Sequence, residues 1–189
     1  VIMPAGEAAP DVYEGISPRD SRSYIDKSGS ADPDVAGETD TNVSYRTHVQ
    51  SYGWQGWRYN GGMSGTSGQA KRLEGIYVRL TNKQYGGGIQ YRTHVQKEGW
   101  QGWKSEGEMS GTSGKARRLE AIQIRLTGEM AEHYDVYYRV HAQSYGWLGW
   151  AKNGESAGTE GLAKRLEGIQ IVIMPAGEAA PDVYEGISP

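Results

Sequence analysis

The chain contains no cysteine and no phenylalanine. The first absence excludes a disulfide framework and any thiolate metal site, and it leaves the compartment open because many exported proteins also lack cysteine. The second absence restricts the core, whose large side chains must come from 13 tyrosines, six tryptophans and the aliphatic residues. No run of about 18 apolar residues is available to cross a membrane as a helix, so membrane insertion is not expected. Proline is scarce at seven residues, whereas glycine is abundant at 28. With 189 residues, 37% of them apolar, the chain has room for one compact domain and some irregular sequence.

The net charge of −3 hides an asymmetry along the chain. Residues 4–42 carry nine acidic and three basic side chains, residues 43–171 carry 17 basic and 11 acidic, and residues 172–189 carry three acidic and none basic. The acidic, Pro/Gly/Ser/Asp-rich stretch buries too little apolar surface to offset its own ordering entropy, which reads as a linker. Tyr13, Ile16, Tyr24 and Ile25 are the residues in it suited to anchor it on another surface.

Three segments align without gaps: Tyr45–Leu80, Tyr91–Leu126 and Tyr138–Ile173, each 36 residues long and joined by 10 or 11 residues. A fixed period of this size is the mark of a repeat architecture. A second repetition is longer, since residues 1–18 are identical to residues 172–189. The simplest account is one 171-residue period, plus an overlap, of a longer protein. The expected organisation is then 1–3 as the end of the last strand of a preceding block, 4–42 as acidic linker, units at 43–81, 89–127 and 136–174, and 175–189 as the start of the next linker.

Each unit reads as β. In YRTHVQ, strict alternation puts Tyr45, Thr47 and Val49 on one face and Arg46, His48 and Gln50 on the other. In RLEGIYVRL, the row Glu74, Ile76, Val78, Leu80 alternates with Gly75, Tyr77, Arg79, so the glutamate is expected to begin the inward row. Glu74, Glu120 and Glu167 are therefore expected to be partly buried and paired with an arginine or histidine. Glycine-rich turns between these strands suggest three or four short strands per unit. No segment has a sustained helical period, although TGEMAEHYD has the composition for one helical turn. The fold class expected is all-β, with three antiparallel units related by a pseudo-threefold axis, prism-like or alternatively a β-trefoil, plus the extended acidic linker.

The combination Tyr-x-x-His-x-Gln, Gly-Trp-x-Gly-Trp, Gly-Thr-x-Gly, Arg-Leu-Glu-[Gly/Ala]-Ile and an apolar strand resembles the clostridial hydrophobic repeat with conserved tryptophan, the ChW repeat. The resemblance covers all three units and leaves the linker unexplained. It implies an extracellular or cell-surface setting in Gram-positive bacteria, roles in attachment to surfaces, glycans or other proteins, and no agreed catalytic residues.

Two sets of side chains are candidates for ligand contact. The first is the tryptophans Trp54, Trp57, Trp100, Trp103, Trp147 and Trp150. Core is the default place for an indole in a chain without phenylalanine, and an exposed indole face would serve as a sugar-stacking platform. Two tryptophans three apart in an extended strand point to opposite faces unless the glycines create a bulge. The second set is the recurring outward polar row: Arg46, His48 and Gln50, then Arg92, His94 and Gln96, then Arg139, His141 and Gln143. These suit hydrogen bonds to a repeated glycan or to a protein, and equally hydrogen bonds to their own turns.

Catalytic, metal and nucleic-acid readings are weak. Ser67 and Ser113 have Glu160 in their place in the third unit, which speaks against a serine nucleophile per unit. The repeat offers one strand-embedded glutamate rather than the pair of acids a hydrolase needs. A faint calcium-loop likeness at Asp32, Asp34, Glu38 and Asp40 is broken by Ala36 and Pro33. Basic residues are interleaved with acids rather than forming a stripe for nucleic acid. No catalytic residue, metal site or cofactor is expected. The function expected is a non-enzymatic extracellular tandem-repeat module binding a glycan, cell-wall polymer or surface protein in adhesion. The alternative is a building block of an extracellular array or filament, with head-to-tail contacts between blocks.

Overall fold

Residues 40–181 are described by the computed structural model, and within them each repeat uses five strands. Two are long and three have two residues, more than the three or four that the turns suggest. Unit 1 contributes β1 (Asn42–Val49), β2 (Gly53–Trp54), β3 (Arg58–Tyr59), β4 (Ser64–Gly65) and β5 (Leu73–Thr81). Unit 2 contributes β6 (Gly88–Val95), β7 (Gly99–Trp100), β8 (Lys104–Ser105), β9 (Ser110–Gly111) and β10 (Leu119–Thr127). After the one-turn helix α1 (Glu129–His133), unit 3 contributes β11 (Tyr134–Ala142), β12 (Gly146–Trp147), β13 (Ala151–Lys152), β14 (Ala157–Gly158) and β15 (Leu166–Pro175).

The first and last strands of each unit pair antiparallel along their length, and the fourth strand leaves its own unit. β4 of unit 1 pairs β15 of unit 3, β9 of unit 2 pairs β5 of unit 1, and β14 of unit 3 pairs β10 of unit 2. These three exchanges close a ring, so every sheet holds strands from two units. The chain thus forms three separate antiparallel sheets, an arrangement compatible with the expected prism. The exchanged glycines explain why the ring can close: Gly65 has φ of +103°, and a β-carbon there would sit 2.4 Å from the Glu167 carbonyl oxygen. Gly111 and Gly158 meet the Glu74 and Glu120 carbonyls in the same way. Only a residue without a side chain lets two backbones approach so closely.

The alternation read from sequence holds for the long strands. Tyr45, Thr47 and Val49 are fully buried, as are the matching Tyr91, Thr93 and Val95 and the matching Tyr138, Val140 and Ala142. They pack with Leu73, Ile76, Val78 and their equivalents into one core that spans all three units. Within that core, Thr47 and Ser64 hydroxyls share a hydrogen bond at 2.8 Å, as do Thr93 and Ser110. In unit 3 both positions change together, to Val140 and Ala157, so neither of these two positions leaves a lone buried hydroxyl.

Tyrosine hydroxyls pin one unit to the next. Tyr45 donates to the Gly62 carbonyl of its own unit and accepts the Ile171 N–H of unit 3 at 3.1 Å. Tyr91 donates to the Glu108 carbonyl and Tyr138 to the Glu155 carbonyl, and their hydroxyls likewise receive Val78 N–H from unit 1 and Ile124 N–H from unit 2. Burial in the core pushes both Tyr91 and Tyr138 up to about 12, against the hydrogen bonds from those backbone N–H groups.

No tryptophan belongs to this core. The default placement of the indoles in the interior is therefore corrected: all six are half-buried, and the large interior side chains are tyrosines and aliphatics. Asn42, the first residue of an Asn-x-Ser triplet, is buried and accepts from the Asn60 side-chain amide at 2.9 Å. The linker anchors Tyr13, Ile16, Tyr24 and Ile25, and the residues of the calcium-loop likeness except Asp40, lie outside the described residues.

Candidate functional site

The polar row of the opening strand divides into three layers, each with its own partners. Nearest the middle of the strand, Arg46 lies beside both tryptophans of its unit, with its guanidinium carbon 5.3 Å from the Trp54 ring centre and 5.2 Å from that of Trp57. Arg92 stands 5.0 and 4.9 Å from Trp100 and Trp103, and Arg139 stands 4.8 and 5.2 Å from Trp147 and Trp150. Both indoles of each pair thus share the outer face. The extended strand assumed for opposite pointing is interrupted: Gly53–Trp54 and Arg58–Tyr59 each pair with β1, and Gln55, Gly56 and Trp57 between them lie outside any strand. The two rings reach one side through a break in the strand rather than through a glycine bulge.

A second arginine caps the outer indole in two of the units. Arg79 lies 3.7 Å from the Trp57 ring centre and Arg125 lies 3.8 Å from that of Trp103. Each guanidinium over a ring adds about 0.5–1 kcal/mol at an exposed site. The matching residue of unit 3 is Val172, and there the covering is different. Tyr137, Val172 and Met174 form a small apolar cluster with Trp150 and Ala180 packed on it. The segment after β15 turns back over this cluster, with Gly177 N–H donating to Asp135 at 2.9 Å and the Tyr137 hydroxyl donating to the Glu178 carbonyl at 2.8 Å. Asp135 is held below the ordinary carboxylate value: burial opposes this, but the Gly177 N–H, the Asn153 amide and the Lys152 ammonium outweigh it.

The middle layer is the histidine. His48 Nδ1 lies 2.9 Å from Glu74 Oε1, whose other oxygen accepts from Arg72 Nε at 2.8 Å. Glu120 is held by His94 and Arg118 in the same way. Glu167 is held by Arg165 at 2.8 Å, and His141 stands 3.1 Å away but out of line for a hydrogen bond. The glutamates are buried and paired as their sequence position suggests, but they do not begin the inward row. Val49 pairs with Leu73 and His48 with Gly75, so Glu74 is the extra residue of a β-bulge. A bulge places two successive side chains opposite one partner, which carries Glu74 to the outer face beside His48. The same shift recurs at Glu120 and Glu167. Each ring also meets the first tryptophan of its unit edge-on, at 5.2–5.4 Å.

The third layer, Gln50, Gln96 and Gln143, is remote from the tryptophans. Each glutamine accepts the backbone N–H of Arg72, Arg118 or Arg165 at 3.3–3.4 Å and lines a cavity shared by the three units. The nine polar candidates therefore do not form one site per unit. Sequence reasoning passed over the three arginines of this cavity, although Arg-Leu-Glu is repeated without change. It also left the Ser67/Ser113/Glu160 difference without a reason. Glu160 Oε2 accepts the Trp100 indole N–H at 2.5 Å across the unit boundary, a reach that the shorter serine lacks. Trp147 Nε1, whose own neighbour across the ring comes from unit 1, is buried without an acceptor.

Three exchanged antiparallel sheets, each with an arginine–tryptophan face, define an all-β tandem-repeat module. Clostridial hydrophobic W, the ChW family, matches residues 48–82, 94–128 and 141–175. These matches cover more than half of the chain, which belongs to that family as three tandem copies of a repeat module of bacterial proteins. Comparison with curated proteins and with solved structures returns no match.

Proposed function

We propose that this block is a non-enzymatic module of a surface or secreted protein of Gram-positive bacteria, working outside the cell in adhesion to a glycan, a cell-wall polymer or a surface protein. The observation that carries the reading is the triplicated face on which two half-buried indoles flank a guanidinium. The part of each half-buried indole that its arginines leave uncovered offers apolar contact to a sugar ring or a peptide, and the adjoining guanidiniums offer hydrogen bonds to its oxygens. Weak faces repeated on one block act together on a repetitive ligand, because binding at the second is intramolecular; the faces of units 1 and 2 are the ones that the segment at 176–181 leaves uncovered. The buried glutamates support the non-enzymatic part of the reading, since each is already engaged by an arginine beside a histidine.

The test is binding of the block to immobilised cell-wall and mucin-type glycans, with tryptophan emission followed in parallel. Trp57→Ala together with Trp103→Ala is expected to abolish retention and to leave the sheets folded. Retention unchanged in the double variant overturns the reading.

A second reading has its own supporting observation. The segment at 176–181 packs on the unit 3 face, where Ala180 meets Trp150 and the linker backbone bonds Tyr137 and Asp135. A face that accepts linker in this way suits a building block of an extracellular array, joined head to tail. Blocks expressed as tandem pairs are then expected to hold a fixed spacing in small-angle scattering, and a broad distribution of spacings counts against it.

A further inference from the structure

We infer that the cavity shared by the three units is a binding site for a compact tetrahedral oxyanion, a phosphate or sulfate group. It is separate from the tryptophan faces and does not rest on the reading above. The cavity, about 530 Å³, is lined by Arg72, Arg118 and Arg165, one from each unit, and by the three glutamines. Because the same positions of all three units line it, it lies on the axis that relates them.

Its chemistry is one-sided. Each arginine uses Nε on the carboxylate behind it, at 2.8–2.9 Å, and its terminal nitrogens make no hydrogen bond to any described residue. Each glutamine uses its carboxamide oxygen on a backbone N–H, which leaves the NH2 group as its free end. The side-chain acceptors at the lining are thus spent, and the side-chain groups left for a ligand are donors. Planar guanidiniums of this kind match phosphate and sulfate oxygens in pairs. Three of them around one cavity supply a set of paired donors to match the oxygens of a tetrahedral group.

Surrounding sequence reinforces the preference for an anion. The stretches 68–72, 114–118 and 161–165, which supply the lining alanines and arginines, hold seven basic residues and no acidic one, and of the seven Arg117 is paired with Glu98. The cavity is also kept open at a conformational cost. Ala70, Ala116 and Ala163 line it with φ of 55°, 53° and 55°, in the left-handed region that alanine rarely occupies. Strain repeated at three equivalent lining positions is the pattern found where a backbone is held for a ligand. A longer side chain on the same backbone would fill the opening.

The probes are inorganic phosphate, inorganic sulfate and a linear polyphosphate, titrated into the block by calorimetry at constant ionic strength, with chloride as the reference. The expected result is saturable binding of about one phosphate or sulfate per block. Gln50→Glu, Gln96→Glu and Gln143→Glu together keep the acceptor for each arginine N–H but add three negative charges, and are expected to weaken binding at least tenfold. Trp57→Ala with Trp103→Ala is expected to leave it unchanged, so this site and the tryptophan faces fail independently. Tighter binding of polyphosphate per chain than of phosphate identifies a polymer-borne group as the ligand; equal binding identifies the free anion. Absence of saturable binding in the unaltered block, or equal binding by the folded triple variant, overturns the proposal. Ala116→Leu serves as a second variant that blocks the cavity without changing its charge, and unchanged affinity there is also fatal to it.

Discussion

Raising the pH tests how the three units are held together. Tyr91 and Tyr138 are fully buried, and both titrate near 12 rather than at the ordinary 10.0. In the unfolded chain they ionise normally. A folded value above the unfolded one stabilises the fold fully below pH 10, and that contribution is lost as the pH rises from 10 through 12. Each two-unit shift corresponds to about 3 kcal/mol, at roughly 1.4 kcal/mol per unit. The two together then approach about 5–6 kcal/mol, comparable with the whole stability of many domains, which is about 5–15 kcal/mol. The block is expected to keep its neutral-pH urea midpoint up to about pH 10 and to lose it steeply above, with these two phenols ionising only as the sheets melt. Tyr138→Phe separates the terms. It leaves the Glu155 carbonyl and the Ile124 N–H without that partner, which lowers stability at neutral pH by about 1–3 kcal/mol. It also removes one ionisation, so stability falls by about 3 kcal/mol less between pH 10 and 12 than in the parent. Urea titrations at a series of pH values, followed by far-UV circular dichroism and phenolate absorbance, measure both. If every phenol ionises near pH 10 while the sheets stay intact, the tyrosine pins do not exist as described.

Three further outcomes follow from the same geometry. Glu120→Gln removes the charge that holds Arg118 and faces His94, and is expected to lower stability by about 3 kcal/mol as the cost of leaving a half-buried cation unpaired; an unchanged urea midpoint contradicts the burial argument. Gly65→Ala drives a methyl group into the Glu167 carbonyl and strains a left-handed backbone, so the closing contact between units 1 and 3 should weaken by about 3 kcal/mol or more. Its signature is a lower thermal midpoint than for Gly53→Ala, where φ is also positive, at +76°, but nothing lies within 4 Å. Asp135, with its depressed value, contributes above the ordinary 3.8, and that contribution fades as the pH falls through the lower folded value. Asp135→Ala is expected to speed amide hydrogen exchange at Gly177 at least tenfold at neutral pH, and slow exchange in the variant would mean that the segment at 176–181 is held by Tyr137 and the apolar cluster alone.

Strand placement shows why part of this molecule is readable in one dimension. The alternation of Tyr45, Thr47 and Val49 against Arg46, His48 and Gln50 is a property of an extended backbone, whose side chains change face at every residue. It holds in all three copies whatever surrounds them. The same rule fails at Glu74, where one extra residue in the ladder moves the carboxylate to the other face. It fails again at the tryptophans, because Gln55–Gly56 breaks the strand that the rule assumes. Bulges and breaks depend on which backbone groups find partners across the sheet, and a single strand does not contain that information.

By itself the sequence determined the number of units, their β character, the inward rows of the long strands and the need to pair the glutamates, all of which follow from local periodicity and the cost of burying charge. Only the tertiary structure decided which unit receives each two-residue strand, since β4 reaches β15 across about a hundred residues of chain and is selected by packing rather than propensity. It likewise decided that the tryptophans lie outside the core, that the first residues after β15 cover the third face, and that three arginines separated by 46 and 47 residues surround one cavity. Those are relations between distant parts of a closed ring, and they exist only once the ring has formed.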